Sequence, residues 1–257
     1  FAGDDLPEGI AGCIVAVADK LDTIAGMFAI GEPPTGSKDP FALRRSAIGV
    51  LNILRTRLKC GYEELVPPAL EAYAEQGIDF DADEVASAVC AFIKGRMEQM
   101  ARDEGLAPDT VAAVSAGDVS APVDYFALAH ALEDARRDDA ETFENLATAY
   151  ARASHLADAS LGTDVDEALM GEAERSLLLA TDAARDTVEQ ALAEKDFAAV
   201  IASLAALREP IDHFFDDVMV MDEDMALREN RLRLLNRFVG VFTDVADFGL
   251  MAKKAQK

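Results

Sequence analysis

Apolar residues recur at steps of three and four positions along almost the whole chain, and this period limits the folds open to it. Between Ile10 and Phe28, for example, Cys13, Val17 and Leu21 fall on the same helical face as the two end residues. No strand-like alternation of useful length and no internal repeat interrupts the pattern. Together with an abundance of Ala and Leu, this predicts an all-α fold.

Capping and breaking residues predict the helix boundaries. Asp39 before Pro40 is a strong start signal, because the carboxylate can accept hydrogen bonds from free amide groups and proline suits the first turn. Pro210 is expected to interrupt or kink a helix, since it lacks an amide donor. The predicted helices span about residues 10–30, 40–58, 63–75, 83–103, 108–115, 121–137, 139–159, 165–193, 196–217 and 222–250.

Glycine and proline residues cluster between positions 104 and 121, where we place a domain boundary. The predicted domains are residues 1–104, a short helical portion, and residues 105–257, a bundle of four or five helices. The sequence begins with Phe1 rather than Met, so we expect it to be part of a longer polypeptide.

Three widely spaced cysteines, Cys13, Cys60 and Cys90, fit neither a disulfide framework nor a Cys-x-x-Cys metal site. We expect them to be small buried residues in a reducing compartment. No apolar run approaches the roughly 18 residues that span a bilayer, and no signal-peptide pattern opens the sequence. A cytoplasmic location is therefore expected.

The formal net charge of −24 argues against general nucleic-acid binding, but the cations are unevenly distributed. The first basic island, residues 33–59, carries six cations and one anion. The second basic island, residues 222–257, carries seven cations and six anions. An acidic surface elsewhere would confine a polyanion to these islands, whereas ordinary solvated helix charges are the alternative.

In the first basic island, Arg45, Asn52, Arg55 and Lys59 fall in one narrow stripe of the predicted helix, and Lys38 precedes it in a loop. Such a stripe could follow a phosphate backbone or form a protein interface. Both alternatives remain open on the sequence alone.

In the second basic island, Arg228 and Arg231 lie beside or within the apolar face of the predicted helix. We therefore expect them to bond carboxylates such as Asp212 or Asp216. Three further polar residues point the other way and are predicted to be free to meet a ligand: Asn230, Arg233 and Arg237.

No complete catalytic centre is recognisable, because glycine-rich nucleotide loops and zinc-protease spacings are missing and the histidines are isolated. Asp19 and Asp22 share the polar face of the first helix, but a divalent cation would need several more ligands. Solvated acids, or partners for Arg44 or Arg45, are the alternative. We therefore predict no catalytic residue and no metal site in this chain.

Two stretches of the sequence are long and specific. One reads Ala18-Asp-Lys-Leu-Asp-Thr23, followed by Thr35-Gly-Ser-Lys-Asp-Pro-Phe-Ala-Leu-Arg-Arg45. The other reads Ala206-Leu-Arg-Glu-Pro-Ile-Asp-His-Phe-Phe-Asp-Asp-Val-Met-Val-Met221, followed by Leu227-Arg-Glu-Asn-Arg-Leu232. Both resemble the β subunit of the bacterial two-subunit glycyl-tRNA synthetase, and the resemblance extends over essentially the whole chain.

The resemblance implies that the chain is the C-terminal part of that subunit. Its first portion would be the end of an HD-type helical domain, in which Asp19 matches the last acidic position of the HD pattern. Its second portion would be an antiparallel bundle of the DALR anticodon-binding type. In the family, the α subunit uses ATP and Mg to activate glycine and the β subunit is required for tRNA recognition, so this fragment would hold no cofactor of its own.

The implied partners are tRNA(Gly) and the α subunit, in a heterotetramer of two α and two β subunits, with no membrane and no DNA. Where the family often has Lys-Arg-Val-x-Asn-Ile, this chain has Ala151-Arg-Ala-Ser-His-Leu156 and keeps only the arginine. Seven residues are predicted to contact tRNA: Arg152, Asn230, Arg233, Arg237, Lys38, Arg45 and Arg55.

Two alternative functions are also considered. An acidic helical scaffold for subunit assembly would use its arginines in internal ion pairs. A remnant of a metal-dependent HD phosphohydrolase would bind a metal at Asp19.

Overall fold

A computed structural model describes residues 6–117 and 119–252, and helices dominate these residues. Within them there is no strand, only an isolated bridge between Thr35 and Lys38. The predicted all-α fold is confirmed. The helices are α1 (Ile10–Ala29), α2 (Leu43–Ile53), α3 (Val66–Glu75), α4 (Ala82–Asp103), α5 (Pro108–Ser115), α6 (Pro122–Asp138), α7 (Ala140–Leu156), α8 (Glu172–Glu194), α9 (Phe197–Ala205), α10 (Arg208–Asp217) and α11 (Met225–Gly240).

Helix α2 begins three residues later than predicted, although Asp39 does act as its cap. The Asp39 carboxylate accepts hydrogen bonds from the amides of Leu43 and Arg44, at 2.8 and 3.1 Å. Ala42 adopts a left-handed conformation, with φ of 55°, so the helix cannot extend back to Pro40. At its other end α2 passes into a π-helical turn over Leu54–Leu58.

The three long helices predicted after residue 165 are shorter in the structure. Residues 196–217 form α9 and α10 rather than one helix, and Pro210 lies in the first turn of α10, where no amide donor is required. Helix α8 starts at Glu172, after two short 3₁₀ turns, and α11 ends at Gly240. The spacing of apolar residues correctly predicted that these regions are helical, but it could not locate the loops between the helices.

The chain divides into two compact units. The first comprises residues up to 105 together with 120–126, and in it α1 packs against α2, α3 and α4. The second comprises residues 106–119 and those from 127 onward, and in it α7 and α8 pack against α10 and α11.

An aromatic cluster forms the centre of the second unit. Phe242 lies 4.9 Å from Tyr150, 5.2 Å from Phe238 and 5.0 Å from Phe248, measured between ring centres. Burial raises the pKa of the Tyr150 hydroxyl to about 12. The cluster joins α7, α11 and the 3₁₀ turn at Phe248–Met251, so the segment after α11 is part of the core.

Phe242→Ala is expected to lower the free energy of unfolding by about 3–5 kcal/mol, because it leaves a cavity at the centre of this cluster. Urea denaturation measures the change. Leu179→Ala, at a side chain that is 71% exposed on α8, is the control and should change stability by no more than about 0.5 kcal/mol. Similar losses for the two variants would contradict the assignment of the cluster as the core.

An ion pair between the start of α5 and the end of α6 makes the stability of the second unit depend on pH. Arg136 of α6 donates to both oxygens of Asp109 in the first turn of α5, at 2.8 and 2.7 Å. This hydrogen bonding holds the pKa of the Asp109 carboxyl below its usual value. A carboxyl with a lowered folded-state pKa stabilises the fold above its unfolded pKa, near 3.9, and loses that contribution as the pH falls through the folded value.

Asp109→Asn should therefore reduce stability at neutral pH and make stability less dependent on pH below about pH 4. Urea unfolding of both proteins across the acidic range measures this difference. Curves that stay parallel down to the lowest pH would contradict it.

Candidate nucleic-acid interface

A groove lies on the surface of the second unit between α7 and α10. It consists of two cavities of about 500 and 300 Å³, which share Arg152, Phe215 and Asp216 as lining residues. The larger cavity extends along the segment that follows α10, whose apolar side chains form much of its lining: Val218, Met219, Val220 and Met221. The groove therefore combines an apolar surface with one exposed cation.

Arg152 lies over the ring of Phe215, with the guanidinium carbon 4.0 Å from the ring centre. Within the part of the chain that the structure describes, no carboxylate lies within ion-pair distance of this guanidinium. Contact with the aromatic ring holds the guanidinium in place without occupying its N–H groups. Arg152 is the one predicted contact residue in this unit whose charge is not already paired among the described residues.

Three carboxylates line the two cavities that contain this pair. Asp212 and Asp216 line the smaller cavity, and Asp216 and Asp217 line the larger one. Such groups repel phosphate but can accept hydrogen bonds from the amino groups of nucleobases. The geometry therefore suits an unstacked base better than a phosphate backbone.

Asn230 is buried, with only 1% of its surface exposed. Its Oδ1 accepts a hydrogen bond from the Asp166 amide at 2.7 Å, and its Nδ2 donates to the Asp166 carbonyl at 3.0 Å. The prediction that Asn230 is free for a ligand is wrong. The loop between α7 and α8 covers this face of α11, which the helical period could not reveal.

Arg233 and Arg237 are also occupied by internal partners, so their predicted freedom is wrong as well. Arg237 donates to both oxygens of Asp182, at 2.6 and 2.9 Å. The Arg233 Nε donates to the Leu161 carbonyl at 3.2 Å. A tRNA contact by Arg233 or Arg237 stays a prediction, and it would require the arginine to leave these internal partners.

Arg231 bonds carboxylates as expected, but Arg228 bonds a backbone carbonyl instead, and neither bonds Asp212 or Asp216. The Arg231 Nε donates to Glu174 at 2.8 Å, and its Nη1 donates to the Asp222 carboxylate at 2.7 Å. The Arg228 Nε donates to the Asp222 carbonyl at 2.8 Å. The partners come from the start of α8 and from the segment before α11.

In the first unit, Arg55 of the predicted basic stripe is occupied by contacts within the protein. Arg55 forms a bidentate ion pair with Glu104 and lies 3.6 Å from the ring centre of Phe126. Lys38 and Arg45 are exposed. A tRNA contact by any of these three cations stays a prediction.

Asp19 and Asp22, the two acidic residues of α1, are exposed. Arg44 is not their partner, since its Nη2 donates to the Gly36 carbonyl at 2.7 Å. Among the residues described, no three His, Cys, Asp or Glu side chains lie close enough together to hold a metal ion. Nor does any described helix have the length and apolar content needed to cross a bilayer.

Comparison with known proteins assigns both parts of the chain. Residues 1–116 match the family described as the glycyl-tRNA synthetase beta subunit, and residues 146–247 match the DALR anticodon binding domain. The chain belongs to the family of glycyl-tRNA synthetase β subunits. The second match contains Arg152, Phe215 and the whole of α8 to α11.

Curated members of the family are similar over almost the whole chain. Glycine–tRNA ligase beta subunits from Acinetobacter baumannii, Actinobacillus pleuropneumoniae and Alteromonas mediterranea are 42%, 40% and 39% identical, and each match covers 98% of this chain. The chain spans only about a third of the length of these relatives, 36% or 37%.

Sequence reasoning missed Phe215, Asp216 and Met219 as groove residues. The available signal was the specific stretch from Ala206 to Met221, which carried the family resemblance and includes all three. Its helical angles do not show which side chain stacks with Arg152, because that partner comes from another helix.

Arg231→Met is expected to lower the free energy of unfolding by about 3–5 kcal/mol, because it leaves Glu174, which is 4% exposed, as an unpaired buried charge. Removing that charge as well, in Glu174→Gln with Arg231→Met, should restore much of the loss, since the amide oxygen can still accept from the Gly171 amide. Chemical denaturation measures both. Equal losses would show that the unpaired carboxylate is not the cause.

Proposed function

We propose that this chain provides tRNA recognition for a two-subunit glycine–tRNA ligase, in which the α subunit joins glycine to tRNA(Gly) with ATP and Mg. The parent enzyme would be a cytoplasmic heterotetramer of two α and two β subunits. The observation that carries the proposal is the stack of Arg152 on Phe215, exposed in a groove within the segment that matches the DALR anticodon binding domain.

The chemistry of the groove supports contact with the single-stranded anticodon loop. Splayed bases are recognised by stacking on aromatic rings or guanidinium planes and by hydrogen bonds to their edges. Arg152 offers a guanidinium face and donors, Asp216 offers acceptors, and the methionine side chains offer an adaptable apolar surface. A tRNA loop can present bases here without bringing many phosphates against the acidic rim.

The first unit has a different role in this proposal. It is the end of an HD-type helical domain, and most of it precedes the predicted domain division at about residue 104, although residues 120–126 also belong to it. Lys38 and Arg45, as exposed cations, are its candidate contacts with another part of the tRNA or with the α subunit. Arg55 can join them only by leaving Glu104.

Arg152→Ala should weaken binding of an anticodon stem-loop of tRNA(Gly) by the 257-residue chain by about tenfold or more. The reason is that a stacked base contributes roughly 1–3 kcal/mol. Fluorescence anisotropy with labelled RNA measures the affinity at several salt concentrations.

Arg137→Ala is the matched control, because it removes an exposed arginine of the same unit that pairs with Asp134 outside the groove. It should change the affinity little. Absence of salt-sensitive RNA binding by the parent chain, or equal affinity in the Arg152 variant, would remove the RNA-recognition role and leave the acidic scaffold for subunit assembly.

A further inference from the structure

The segment between α10 and α11 is an irregular strip whose side chains alternate in exposure. Met219 is 74% exposed and Met221 is 52% exposed, whereas Val220 between them is 4% exposed. Within the described residues, the amides of residues 219–222 make no backbone–backbone hydrogen bond. The strip lines the groove, yet no regular secondary structure holds it in place.

Two arginine side chains of α11 form hydrogen bonds with this strip. The Arg231 Nη1 donates to the Met219 carbonyl at 2.9 Å and to the Asp222 carboxylate at 2.7 Å. The Arg228 Nε and Nη2 donate to the Asp222 carbonyl at 2.8 and 2.5 Å. Both ends of the strip are therefore bonded to one helix.

Arg231 is itself fixed on its other side. Its Nε donates to Glu174 at 2.8 Å, and Glu174 also accepts from the Gly171 amide at 2.5 Å at the start of α8. The Arg231 side chain is 13% exposed and that of Glu174 is 5% exposed, so water has little access to replace the hydrogen bond between them. The strip is thus tied through Arg231 to two helices.

We propose that Arg231 is a positioning residue for RNA binding, holding residues 219–222 so that Met219 and Met221 form a preformed apolar wall of the groove. This rests on the proposed function, in which the groove of Arg152 receives unstacked bases. A wall ordered before binding loses less conformational entropy when a base packs against it, so the affinity depends on a residue that does not touch the RNA.

The test compares three variants of the full chain with the anticodon stem-loop of tRNA(Gly) as the probe. Glu174→Gln with Arg231→Met removes the anchor without leaving a buried carboxylate unpaired. Arg231→Lys keeps a donor and guards against a double variant that fails to fold. Asp109→Asn with Arg136→Met is the matched control, since it removes a bidentate pair of the same unit that does not contact the strip.

The anchor variant is expected to bind the stem-loop about tenfold more weakly and to show lower NMR order parameters for the backbone of residues 219–222. Arg231→Lys should lie between it and the parent chain, and the control should match the parent in both measurements after allowance for any common loss of stability. The order parameters report directly on the mobility of the strip, and their measurement does not require RNA.

Two outcomes would overturn the positioning role while leaving the proposed function intact. The anchor variant could bind RNA like the control although Arg152→Ala has lost affinity, or the backbone order parameters of residues 219–222 could stay unchanged. Unchanged RNA affinity in Arg152→Ala would instead overturn the proposed function and, with it, the role of Arg231.

Discussion

The buried ion pair between Arg231 and Glu174 is the interaction on which the geometry of the groove depends. It joins the start of α8 to α11, and Arg231 extends the bond to the backbone at Met219. Neighbouring residues of α11 act in the same way, because Asn230 satisfies both backbone groups of Asp166 and Arg228 satisfies the carbonyl of Asp222. One helix thus supplies hydrogen bonds to loop segments that have no regular partners of their own.

This use of α11 changes the meaning of its positive charge. In a chain with a net charge of −24, most arginines of the second basic island neutralise nearby carboxylates or cap carbonyl groups. Their side chains are positioned for the fold, and a ligand would have to compete with those bonds. Arg152 differs, because an aromatic ring rather than a carboxylate orients it. The cluster of positive charge in α11 therefore stabilises the fold, whereas Arg152, the exposed cation of the groove, lies on α7.

The sequence predicted the parts of the structure that depend on local periodicity. The all-α class, the positions of α4 to α7 and the need for partners at Arg228 and Arg231 all follow from apolar spacing. It could not predict which carboxylates pair with them, since Glu174 is 57 positions from Arg231 and the contact depends on tertiary packing. It failed at Asn230 for the same reason: an outward angle on one helix does not show whether a loop covers that face.

The acidic rim of the groove has a consequence for the kind of RNA that fits. A duplex presents phosphates along its whole surface, so carboxylates such as Asp216 and Asp217 repel it, whereas a splayed loop can direct bases inward and phosphates away. Discrimination of this kind arises from a repulsive element as well as an attractive one. Under the proposed function, the acidic surface therefore restricts RNA binding to loop bases, and the methionine strip and Arg152 provide the attraction that remains.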